Sequence, residues 1–394
     1  MTAYLDHAAT TSMWPAAREA WCEQAARTGN ASSLHTAGRQ ARAVVEESRE
    51  RIAAALDARP SEVIFTSGGT EADNLAIKGT YAARVAADPA RRVLAVSGVE
   101  HHAVLDPVVH LVETGQAEVA WLEPGHDGRI AVDDLRAVLD TRGERTALTS
   151  VMWANNEVGT VQPVAELAAL AHEHGVPFHT DAVQAISYLP VSFAASGVDL
   201  LTVTAHKLGG PLGVGALLAR RDARLVPQLH GGGQERQIRS GTLDVPAIRS
   251  FAVALDETVR LREEETRRVG ALRDRLIDKV LGLGLGATVS GIYEPGDSTT
   301  RIAANVHLLV PGCQGDSLLY LLDASGVECS TGSACQAGVP RPSHVLIAMG
   351  YPDEQARGAL RISLGHTSTD DDVDQFVTAL PAVVERARRA AGVA

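Results

Sequence analysis

From about residue 60 to 220 the chain alternates short apolar, β-rich runs with Ala/Leu/Glu-rich helical stretches. This alternation constrains the fold more than any other feature. EVIFTS, RRVLAVSG, ALTSVMWA, VPFHTDA, DLLTVTA and VGALLARR read as strands, and VQPVAELAALAHEHG, residues 161–175, as a helix. Strands that take turns with helices need crossover connections, so an α/β fold is expected, with a mostly parallel sheet covered by helices on both faces. Ligands of such sheets bind beyond the carboxyl ends of the strands. The polar residues just after each run therefore matter most.

A second region starts near residue 250, where Val269, Leu272, Leu276 and Val280 recur at helical spacing among charges. A long amphipathic helix leading into a smaller α+β domain is expected there. The spacing also predicts a C-terminal helix in DVDQFVTALPAVVERARRAAGVA, with Pro381 as a break or first-turn residue. At 394 residues the chain is long enough for two or three units. The expected division is a large domain over residues 17–255 and a small domain formed by 1–16 and 256–394.

A net charge of -12 and a pI near 5.6 argue against a protein that grips nucleic-acid phosphates over a broad basic face. The start, MTAYLDHAATTSMW, has no basic and apolar leader pattern, and no apolar run is long enough to span a bilayer. A cytoplasmic protein without membrane contact is the expectation. Cys22, Cys313, Cys329 and Cys335 form no CxxC pair, so neither a disulfide framework nor a zinc site is favoured, and no metal is expected.

The strand ends carry the chemistry. EVIFTS runs into GGTEADN, where Gly69 and Thr70 open a helix whose first amides can seat a phosphate. VPFHT ends at Asp181, a carboxylate that is costly to bury unless it meets a cation or donors. DLLTVTA ends at His206 and Lys207, ahead of the glycine-rich LGGPLGVG. A lysine in a dry cleft can lose its proton and attack carbonyls. Taken singly, these are more often a turn, an N-cap aspartate and a surface lysine. Together they suit pyridoxal 5'-phosphate, whose aldehyde takes a lysine, whose ring nitrogen pairs with an acid and whose phosphate needs N–H donors.

The strings YLDHAATT, GNASSLHTAGR, TSGGTEADN, VEHHAV, WANNEVGT, HTDAVQA, TAHKLGGPLGVG, GGGQERQIRSGT, CSTGSACQAG and RISLGH follow one another in an order that resembles the NifS/IscS-like cysteine desulfurases. These are class-V aminotransferases of the fold type I pyridoxal-phosphate architecture, and the resemblance runs from residue 4 to about 368. It implies that Lys207 binds the cofactor covalently, Asp181 keeps its ring nitrogen protonated, and Gln184 bonds the ring hydroxyl. His101 would stack on the ring and take part in proton transfer. Gly69, Thr70, Thr204 and His206 would hold the phosphate, joined by Thr242 from a second subunit, which implies a homodimer. Asn155 and Arg361 would hold the substrate carboxylate, for which an arginine fork is well shaped.

The resemblance assigns the sulfur-accepting thiol to Cys335, in the STGSAC string. That cysteine would take sulfur from L-cysteine, release L-alanine and pass the sulfur to an acceptor or scaffold protein serving iron–sulfur assembly, tRNA thiolation or DNA phosphorothioation. The small and turn-forming residues of the stretch 329–342 suit an exposed loop better than a packed element. Cys22, Cys313 and Cys329 are expected to be structural, because free cysteine is more often a small buried hydrophobe than a nucleophile. The sequence departs from the family at Gln234, where many relatives carry histidine, at TSMW and at Thr331. A selenocysteine lyase or related aminotransferase is the alternative, and a non-enzymatic sulfur carrier on the same fold is a third reading.

Overall fold

The computed structural model describes residues 2–332 and 342–392. The chain opens with a two-residue strand, β1 (Ala3–Tyr4), and then builds β2 (Val63–Thr66), β3 (Val93–Ser97), β4 (Glu118–Leu122), β5 (Thr146–Ser150), β6 (Phe178–Asp181), β7 (Leu200–Thr204) and β8 (Gly215–Ala219). The last seven form one sheet in the order β2-β8-β7-β6-β5-β3-β4. Only β8 runs against its neighbours; every other adjacent pair is parallel.

Both faces of the sheet are covered, as its uninterrupted apolar strands require. Ile64 and Phe65, adjacent on β2, turn to opposite sides. Phe65 joins Ile52, Leu167, Phe178, Leu201 and Phe251, while Ile64 joins Leu75, Tyr81, Val104, Leu148 and Leu217. The sequence reading missed β4. It is an edge strand with Glu118 and Trp121 exposed, so it alternates in polarity instead of showing a continuous apolar run.

The helix Val245–Gly282 is started by Asp244, whose carboxylate accepts the Ala247 N–H at 3.0 Å, with a proline in the first turn. Its first half packs Phe251 and Leu255 against the large sheet. Its second half packs Val269, Leu276, Ile277 and Val280 into a separate core. That second core lies on an antiparallel sheet of β9 (Thr288–Val289), β10 (Asn305–Leu309) and β12 (Ala359–Ser363), ordered β12-β10-β9, and on the parallel pair of β1 with β11 (Val327–Glu328). The strands β1 and β11 bring the N-terminal residues into the small core beside Cys329.

The C-terminal helix Asp370–Ala390 passes through Pro381 without a break, contrary to the expectation from sequence. A mid-helix proline forfeits one backbone bond. Burial of Phe376, Leu380, Val383 and Val384 on both sides of it offsets that loss. Cys22 is also not the core residue expected: it is exposed on the helix Pro15–Ala25, whereas Cys313 and Cys329 are buried. Among the described residues no helix is long and apolar enough to cross a membrane.

Candidate active site

The carboxyl ends of β2, β3, β5, β6 and β7 open onto one cleft of about 430 Å³, which Arg361 of β12 also lines. Gly69, Thr70, His101, Asp181, Gln184, Thr204, His206, Lys207 and Arg361 all line it. Those from Gly69 to Lys207 meet because parallel strands end together, and Arg361 joins them from the small antiparallel sheet.

At the end of β2, Gly68 holds φ +146 and no side chain caps the helix that begins at Gly69. The first amides of that helix are therefore left for a ligand at the cleft. A Cβ on Gly215 of β8 would lie 2.9 Å from the Gly68 backbone, so the sheet can approach this turn only through glycine. Thr204 is buried and donates to the Val214 carbonyl at 3.3 Å, and His206 Nδ1 lies 3.3 Å from Thr10 Oγ1. Burial, followed by the nearby Lys207, lowers the His206 imidazole to about 4.

Asp181 is 5% exposed. One of its oxygens accepts the Val183 N–H at 2.8 Å, and no ion pair reaches it among the described residues. Burial pushes its carboxyl up to about 8, and the neighbouring Asp73 adds to the effect. A protonated nitrogen placed beside it would draw the proton off and be held strongly. Lys207 donates to the Ala8 and Ala9 carbonyls, the latter at 2.6 Å. Burial, then the cationic Arg361, brings its ammonium down to about 8, with Asp6 and Asp181 pulling the other way. A fraction of neutral amine is therefore present near neutral pH.

His101 caps the helix His102–Glu113, its Nδ1 accepting the Ala103 N–H at 3.1 Å. That bond fixes the neutral ring with its proton on Nε2. The ring faces the open cleft and is solvent-accessible, yet protein packed around it, followed by the charge of Lys207, lowers it to about 4. Gln184 Nε2 donates to the Ala8 carbonyl at 3.0 Å. The same N-terminal turn thus holds both Gln184 and Lys207.

Arg361 is 5% exposed; it pairs with Asp6 at 2.8 Å and donates to the Asn156 carbonyl at 3.2 Å, while its Nε has no partner. A buried guanidinium with an unused donor suits a carboxylate.

Asn155 does not belong to the cleft wall. It is fully buried, its amide donating to the Val99 carbonyl at 2.9 Å and its oxygen accepting the Glu157 and Val158 N–H groups at 2.8 and 2.9 Å. The residue that lines the cleft is its neighbour Asn156. Asn156→Ala is expected to raise the KM for substrate about tenfold at unchanged stability, whereas Asn155→Ala, which orphans three buried backbone groups, should cost about 2–3 kcal/mol. Steady-state kinetics and thermal melts of the two variants separate these outcomes.

Thr242 is exposed and outside the cleft of its own chain. Cys335 lies outside the described residues; Ser330 and Gly332 before it and His344 after it line the cleft. Cys329 is 8% exposed, and burial, then Asp6, drives its thiol up to about 12. Sequence reasoning also missed Asp73, Glu157, His102 and His344 as cleft residues and Asp6 as the partner of Arg361. Asp6 and Asp73 sit inside YLDHAATT and TSGGTEADN, and the signal was their place in those strings.

The Aminotransferase class-V family matches residues 3–376. An IscS-like cysteine desulfurase of Mycobacterium tuberculosis is 56% identical over 389 residues, covering 99% of this chain and 98% of that one. Among solved structures, a NifS-like protein superposes with a TM-score of 0.88 at 31% identity, covering 98% of this chain and all of the other. The structure titled SspA in complex with cysteine gives 0.78 at 32% identity over 93% of this chain and all of its own.

Proposed function

The chain belongs to the class-V aminotransferase family, in which it is a pyridoxal-phosphate-dependent cysteine desulfurase, and from this premise we propose that Cys335 takes the sulfur of L-cysteine and hands it to an acceptor protein. The observation that carries the reading is the cleft itself: one strand-end lysine, one buried acid, one capped imidazole and one buried arginine facing the same space.

When bound, pyridoxal phosphate supplies an electron sink that makes the substrate Cα–H acidic. The first amides at Gly69 and Thr70, with Thr204 and His206, would hold its phosphate, Asp181 its ring nitrogen and Gln184 its hydroxyl. Arg361 and Asn156 would orient the substrate carboxylate. Lys207, with a neutral fraction near pH 7, serves as covalent anchor and moves the Cα proton; His101, kept neutral by its surroundings and free of a proton at Nδ1 through the Ala103 bond, handles a proton at Nε2. The Cys335 thiolate attacks the substrate sulfur, the C–S bond breaks with its electron pair left on the carbon skeleton, and protonation of that carbon gives alanine. Sulfur then rests on Cys335 as a persulfide.

The printed title of a related structure names cysteine as its ligand, which supports L-cysteine as substrate here. Thr242, exposed and outside its own cleft, supports a homodimer in which it serves the other subunit. The test is product analysis: the yellow holoenzyme should convert L-cysteine into equal amounts of alanine and reducible sulfur with no keto acid present. A requirement for a keto acid would favour the aminotransferase reading, and turnover of selenocysteine alone would favour the lyase.

A further inference from the structure

Beneath Asp181 lies a second buried acid that the chemistry described so far leaves unused. His179 and Asp181 stand two residues apart on β6, so their side chains share one face of the sheet. The helix that begins at the phosphate seat lays Asp73 against that face. Asp73 is 1% exposed and His179 fully buried, with 3.4 Å between Asp73 Oδ1 and His179 Nε2. Asp73 Oδ1 has no hydrogen-bond partner. The imidazole is otherwise held by hydroxyls alone, Ser150 Oγ at 2.9 Å from Nδ1 and Thr202 Oγ1 at 3.1 Å from Nε2.

Two carboxylates in one dry site cannot both ionise cheaply. The titratable and charged groups around Asp73 are His179 and Asp181 on β6 and Glu100 after β3, itself buried and raised well above the usual carboxyl range. Lys207 lies beyond Asp181, and no arginine or lysine pairs with Asp73 among the described residues. Burial raises Asp73 to about 7 and lowers His179 to about 4. The Thr202 hydroxyl bonds Asp73 and works against that rise, but no cation is there to hold a charge on it among the described residues.

We propose that Asp73 and His179 form a positioning pair under the cofactor ring, which together hold one proton and so leave Asp181 as the single buried anion offered to a protonated ring nitrogen. The inference rests on the reading of Asp181 as the partner of that nitrogen. The proton can sit on Asp73 Oδ1, donated to a neutral His179 Nε2, or on the imidazole; in either form the pair is neutral. Once pH rises far enough to remove it, a second negative charge appears below the ring.

The test is a pH titration of the visible band of the lysine-bound cofactor in the full-length holoenzyme, together with thermal melts over the same range. Asp73→Asn is a permanently neutral stand-in. At about pH 6 its band should match wild type, because the wild-type pair is neutral there too. Above about pH 7 the two bands should diverge. The variant lacks the anion that helps retain the linkage proton, so its band should bleach about half a unit to one unit lower in pH. Its melting midpoint should gain on wild type between about pH 4 and about pH 7 and keep a constant lead above that, because the unfolded acid ionises from its ordinary value upward while the folded one holds its proton to about 7, and the carboxamide does neither.

His179→Gln leaves Asp73 without its imidazole and neutral to higher pH, so it should shift the bleaching in the same direction and guards against a poorly folding Asp73 variant. A difference from wild type that is constant at every pH, in either variant, would overturn the inference and make Asp73 a plain structural acceptor. Asp181→Asn is the control arm. If it leaves the titration as in wild type, the assignment of Asp181 fails; if it alters the band while Asp73→Asn and His179→Gln do not, only the pair fails.

Discussion

Lys207→Ala is expected to lower cysteine turnover by at least about 10³-fold, because one substitution removes both the covalent anchor and the group that moves the Cα proton. The chain should still fold, since Lys207 is only half-buried and spends its donors on two carbonyls of the N-terminal turn, that of Ala8, which Gln184 also bonds, and that of the exposed Ala9. Lys207→Arg should be equally inactive, because a guanidinium does not deprotonate at any working pH. A small primary amine in solution should restore part of the activity of the alanine variant and none to the arginine variant. Full activity in Lys207→Ala without added amine would remove the lysine from the mechanism. The wild-type lysine carries a pH signature as well. Its ammonium is lowered to about 8, and only the neutral amine attacks an aldehyde, so cofactor reconstitution should speed up roughly tenfold from about pH 7 to about pH 9. The sign follows from burial and Arg361 outweighing Asp6 and Asp181; a rate that falls over this range would contradict it.

Much of this site was legible before any coordinates. A parallel sheet gathers its strand ends, so residues as distant as Gly69, Asp181 and Lys207 could be placed together from periodicity alone. What they bind followed from their types. The resemblance supplied His101, Gln184, Arg361 and the thiol, none of which stands out by burial or spacing. Two kinds of feature stayed hidden. The first is direction within a turn: in WANNEVG the two amides are chemically alike, and only the backbone path sends Asn155 under the turn and Asn156 into the cleft. The second is depth. Asp73 reads as a polar residue in the first turns of a helix, and nothing along the chain announces that His179 from a strand a hundred positions later packs over it without a cation. Edge strand β4 and the unbroken helix through Pro381 were missed for a related reason, since local polarity and local propensity were outweighed by what each segment packs against.

Cys335→Ala should abolish the release of alanine and sulfur, by about 10³-fold or more, while leaving the cofactor band and the melting midpoint as in wild type. The two effects come apart because the cleft residues expected to bind the cofactor follow the ends of the sheet strands, whereas Cys335 is not among them and lies outside the described residues. Of the other cysteines, Cys329 is pushed up to about 12 and is a thiol at any working pH, Cys313 is buried and raised as well, and Cys22 is exposed on the helix Pro15–Ala25 and does not line the cleft. A nucleophile must be a thiolate, so burial that suppresses ionisation disqualifies Cys329 despite its six-residue separation from Cys335. Cys329→Ser and Cys22→Ser should therefore keep turnover. Intact-mass analysis after one turnover should find a single added sulfur atom on wild type and on these two variants, and none on Cys335→Ala. Added sulfur on Cys335→Ala would mean that another thiol accepts it, and undiminished alanine release in that variant would mean that sulfur leaves the substrate without any protein nucleophile.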